Sequence, residues 1–137
     1  MKTISHFLLT ALLLLAVNFS FAQSKTEWKE QKEFHQVMSK TFHPAEEGNY
    51  APIKARSAEL AQKAEAWRNA EIPADIADKD KVKKTLKKLA KDSKKLDKSI
   101  KKGISDEELK TKLTDLHETF HTIVGLCRAK DEHHDEH

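Results

Sequence analysis

Beyond an apolar N-terminal run, hydrophobic residues recur at intervals of three and four along most of the chain. That is the period of helices with one buried face. The first stripe is Trp28, His35, Met38 and Phe42, widened by Phe34 and Val37, and it predicts a helix from about Thr26 to His43 with His35 on its buried side. Pro44 is expected to end that helix, because a proline pushes the preceding residue away from helical geometry. After the connection Ala45-Glu46-Glu47-Gly48, Asn49 can cap a second helix whose first turn tolerates Pro52. Ile53, Ser57, Leu60, Ala64 and Trp67 form its stripe, and it ends near Ala70. A loop then carries Ile72 and Ile76.

A third helix is predicted from about Asp80 to Lys102, with Val82, Leu86, Leu89, Ser93, Leu96 and Ile100 on one face. Almost everything else on it is lysine, broken by Asp80, Asp92 and Asp97, which reads as a solvated outer face. Gly103 has the place of a helix-stopping glycine, and Ser105 with Glu108 makes a capping box. The fourth helix runs from Asp106 to about Ala129. Leu109, Leu113, Leu116, Phe120, Ile123 and Cys127 form its inner stripe, flanked by His117, His121 and Val124. Four helices with short connections predict an all-α, antiparallel up-down-up-down four-helix bundle with shallow left-handed crossings.

The two ends of the chain change the picture. Met1-Lys2, the apolar run through Val17 and Ser20-Phe21-Ala22 have the layout of a secretory signal peptide over residues 1–22. The expected mature protein is therefore a bundle over 23–129, exported to the periplasm, followed by a disordered His/acid tail at 130–137. The leader's apolar run is short for a membrane span, which needs about 20 residues. A formal net charge of +3, reduced by one once Lys2 is removed, gives no strong electrostatic argument for nucleic acid or membrane as partners, and export weighs further against nucleic acid. The one cysteine, Cys127, cannot form an internal disulfide. It is read as a buried thiol, with a second chain or a metal as the other roles open to it.

Candidate chemistry gathers where the first and last helices run antiparallel. Matching their ends puts His35 level with His121, His117 one turn deeper and Met38 between those levels; His43 lies a further turn along. His117 and His121 are four residues apart, a spacing that points two imidazoles the same way. With His35 from the facing helix, and His43 or Met38 as a further ligand, they make a transition-metal site. Imidazoles suit zinc and copper, and a thioether favours the cuprous ion. Glu118 is expected to point outward, and no acid/base pair or nucleophile constellation can be assembled. The chain is therefore read as a non-enzymatic protein that buffers or delivers copper or zinc. A cofactor-free interaction bundle, its lysine-rich helix meeting an acidic partner, is the other reading of the same residues.

The layout also resembles the cytochrome c-prime and soluble b-type cytochrome superfamily of exported four-helix bundles. The likeness covers the mature domain as architecture, with motif support in the first and last helices. Where covalent members carry Cys-x-x-Cys-His, this chain has His117-Glu118-Thr119-Phe120-His121. The resemblance implies that His121 corresponds to the axial haem ligand, with His35 or Met38 as the second. It also implies that haem b would be held without covalent attachment, since both cysteine positions are changed, and that the protein could dimerise. A haem b electron-transfer protein is thus the alternative to the copper or zinc protein.

Overall fold

The computed structural model describes residues 28–128; the expected leader at 1–22 and the expected tail at 130–137 lie outside the described residues. Four α-helices follow one another: α1 Lys29–Glu46, α2 Ala51–Asn69, α3 Lys79–Lys101 and α4 Asp106–Arg128. Each packs against the next in the chain, and α4 closes the ring against α1 along a sparser seam. The all-α four-helix bundle expected from the apolar stripes is the observed fold.

The boundaries show what stops and starts each helix. Pro44 does not end α1; it lies inside the last turn. The chain continues to Glu46 and reverses at Gly48, whose φ of 85° suits glycine alone. The Gly48 N–H donates to the Ala45 carbonyl at 3.1 Å and the Asn49 N–H to the Pro44 carbonyl at 2.9 Å. That pairing is a Schellman motif, which satisfies carbonyls left free at a helix end. The extra turn buries Ala45 beside Phe42, and this packing outweighs the local preference set by the proline. Gly103, with φ of 80°, ends α3 in the same way as expected: its N–H reaches the Ile100 carbonyl at 2.9 Å.

The starts of α3 and α4 are side-chain capped; at α2 the N-cap is Tyr50, one residue after the expected Asn49, and its side chain makes no capping bond. Asn49 Oδ1 accepts the Ala51 N–H at 3.2 Å, just ahead of α2. Asp78 Oδ1 accepts the Lys81 N–H at 2.9 Å, so α3 begins slightly earlier than expected. Ser105 Oγ accepts the Glu108 N–H at 3.2 Å, which is half of the predicted capping box. The Glu108 carboxylate turns instead toward Lys112 at 3.5 Å.

The core is aromatic at the level of the candidate site. Trp67 of α2 meets Phe34 of α1 at a ring separation of 5.6 Å and Phe120 of α4 at 5.9 Å, and Trp28 stands edge-on to it at 5.6 Å. Phe34 and Phe120 meet at 5.8 Å. Phe34, Met38 and Trp67 are fully buried. Offset and tilted contacts of this kind suit the ring quadrupoles and add to the area they bury.

One polar link crosses the interior. Ser57 of α2 donates to Asp97 Oδ1 of α3 at 2.8 Å, and Lys101 reaches Asp97 Oδ2 at 2.7 Å. Asp97 had been expected among the outer lysines; it is buried. Burial alone would raise its pKa. The hydrogen bonds from Lys101 and Ser57 and the Lys101 charge outweigh that, and its carboxyl is held below the ordinary range.

Candidate metal site on the α1–α4 seam

The inner face of α1 is set by Phe34, Val37, Met38, Thr41, Phe42 and Ala45. That stripe is rotated from the one expected, and the rotation decides where the histidines go. Phe34, the larger apolar neighbour, takes the interior, and His35 beside it is exposed rather than buried. Met38 goes the other way and lies wholly in the core. The periodicity that gathered these residues does not give their distance from the bundle axis.

On α4, Leu116, Phe120 and Ile123 face inward, and His117 and His121 lie on the flank that looks toward α1. His117 is half-buried and His121 exposed. Their Nε2 atoms approach to 3.2 Å, with the rings at 88° to each other. One Nε2–H donating to the other Nε2 accounts for this contact in a neutral pair.

Phenylalanines fix these rings. The His117 imidazole lies flat on Phe42 of α1, with centroids 3.9 Å apart and planes 15° apart. His35 of α1 lies parallel to Phe120 of α4 at 5.0 Å, and Phe120 also meets His121 at 5.4 Å. The imidazole–phenyl contacts thus tie the seam from both helices. His43 is exposed in the last turn of α1, where its Nδ1 meets Glu46 Oε2 at 3.1 Å.

The pKa of His117 is lowered. Burial against Phe42 is the main cause. His121, His43 and His35 add repulsion, and Glu46 opposes them. All four groups thus lie within electrostatic reach of His117. A depressed imidazole pKa keeps the nitrogen lone pairs available near neutral pH, as metal binding requires.

The pair is the assembled part of the expected site. Among the described residues, no group of three or more His, Cys, Asp or Glu side chains is gathered tightly enough to hold a metal ion. Cys127 is half-buried near the end of α4. Burial raises its thiol pKa and the Asp75 carboxylate raises it further, which disfavours the thiolate.

Two features escaped the sequence reading. The i, i+4 spacing of the histidines was visible, but the phenylalanines that clamp them were read as core alone. A groove of about 430 Å³ between α3 and α4 was not foreseen. Lys95, Asp115, Glu118 and Thr122 line it, with Leu96 and Leu116 at its base.

No family model matches the chain, and no curated protein or solved structure matches it significantly.

Proposed function

We propose that this bundle binds a copper or zinc ion through His117 and His121, in a buffering or delivery role, and that the leader directs it to the periplasm. The observation that carries this is the 3.2 Å separation of the two Nε2 atoms. Two imidazole nitrogens held at 2.0–2.1 Å by one tetrahedral zinc ion stand roughly 3.3 Å apart, so the pair already has close to the bite of a chelate. For an ion to bind, the donor imidazole would carry its proton on Nδ1 instead of Nε2, which frees both Nε2 lone pairs for the metal. The phenyl clamp holds His117 in place, so little side-chain freedom is lost when the ion arrives.

The remaining positions of the ion are open to water, to His43 or Glu46 from the end of α1, or to His35. Exposure of His121 lets incoming ligands reach the ion, which suits exchange with a partner better than permanent storage. Met38 takes no part without a change in the core, being fully buried.

The test is calorimetric titration of zinc and of copper into the full chain carrying His133, His134 and His137→Asn, which removes the imidazoles of the tail. One ion per chain is expected, and His121→Ala should weaken it by well over about tenfold, the loss seen even when a group supporting a metal ligand is removed. Unchanged affinity in that variant would refute the assignment.

A further inference from the structure

The outer face of α3 departs from an ordinary solvated helix. Every exposed residue from Lys83 to Lys102 is a lysine, ten in all, and every other residue in that span is at least half-buried. Solvated bundle faces normally intersperse both signs of charge. Here α3 carries eleven lysines against three aspartates, a formal +8, whereas the whole chain is only +3. The rest of the chain is therefore net negative, and the positive charge is concentrated on one rod.

Few of these charges are answered. Lys88 pairs with Asp92 at 2.8 Å and Lys101 with Asp97 at 2.7 Å. Among the described residues the other eight lysines of the face have no ion partner. The array is about 28 Å long at about 1.5 Å per residue, or one charge per roughly 3 Å. In water two unit charges reach the thermal energy at about 7 Å, so this spacing holds a layer of condensed anions. A linear polyanion that replaces them gains the entropy of their release.

The side-chain chemistry narrows the partner. The face has no arginine for bidentate recognition and no aromatic residue for stacking bases, which disfavours nucleic acid. It has no exposed apolar residue to enter a lipid interface. Lysine ammonium groups are point charges suited to phosphate. They fan across a broad arc of the helix, which a flexible chain can follow and a flat surface cannot. We infer that the outer face of α3 binds a flexible linear phosphate polymer, independently of the histidine pair.

The test is fluorescence anisotropy with end-labelled inorganic polyphosphate and the full chain across a salt series, with single-stranded DNA and phosphatidylglycerol vesicles as comparison probes. Polyphosphate should bind most tightly, with a slope of log affinity against log salt of roughly −4 or steeper, given about 0.7 per charge neutralised on a single strand. The variant with Lys84, Lys87, Lys91, Lys94 and Lys98→Gln alters exposed positions only. It should keep its helical circular dichroism, lose at least tenfold in affinity and show a shallower slope. Unchanged binding in that variant overturns the proposal, as does equal or tighter binding of DNA or vesicles.

Discussion

Zinc should raise the melting temperature of this protein, and the His121→Ala substitution should abolish the rise. The i, i+4 pair exists as a chelate only while α4 is helical, since the 3.2 Å approach of the two Nε2 atoms depends on the helical turn and on the Phe42 clamp. The unfolded chain scatters these imidazoles and binds the ion less well. Zinc at 100-fold above its dissociation constant then stabilises the folded state by about 2.7 kcal/mol. For a domain of this size 1 kcal/mol moves the midpoint by about 4–8 °C, so the shift should exceed about 10 °C. The assay is thermal unfolding followed by circular dichroism at neutral pH with increasing zinc, with the tail imidazoles removed by His133, His134 and His137→Asn. His121 is exposed, so His121→Ala should leave the zinc-free midpoint nearly unchanged. A zinc-dependent rise of the same size in His121→Ala would refute the reasoning.

Two further outcomes follow from the interior and from the seam. Ser57→Ala removes the buried hydroxyl that donates to Asp97, and urea unfolding should show a loss of about 1.5–3 kcal/mol, the range for hydrogen bonds to charged groups. The lowered pKa of His117 means that the unfolded chain binds its proton more readily than the folded one. Stability is then complete above the unfolded-state value of about 6.5 and is lost as pH falls through the lower folded value. Proton NMR should find His117 titrating below the ordinary histidine value of about 6.5, and a His117→Gln variant should melt with less dependence on pH between neutrality and mild acid.

Helix number and order could be read from the sequence because each stripe is continuous and the stops are chemical. Gly103 and Ser105 fix their boundary by a required φ and by a hydroxyl in reach of an N–H, and both are properties of single residues. Pro44 and Gly48 compete for the end of α1, and the winner depends on Ala45 finding a buried place against the rest of the bundle. His35 shows a harder limit. Phe34 and His35 are neighbours, a heptad can be drawn through either, and only packing against Trp67 and Phe120 selects Phe34. Asp97 was misplaced for a related reason. A carboxylate beside lysines reads as solvated unless Ser57, forty residues earlier, is known to face it. The histidine pair was legible as a spacing, but its distance and the Phe42 clamp are tertiary facts.

The radial position of the histidines also separates the two cofactor chemistries proposed for this fold. A haem inside the bundle takes its axial ligand from the interior, and its ring needs the volume now held by Phe34, Trp67 and Phe120 beside Met38. Truncating one buried aromatic residue costs about 3–5 kcal/mol. Moving several aside is therefore a large fraction of the stability of a domain this small. His121 would also have to turn from solvent into the space so opened. A copper or zinc ion on the seam would ask for neither change: the two Nε2 atoms already stand 3.2 Å apart, and the core behind them would stay closed. The sparser α1–α4 seam is where such an ion would sit, and a ligand from α1 would tie its two helices together.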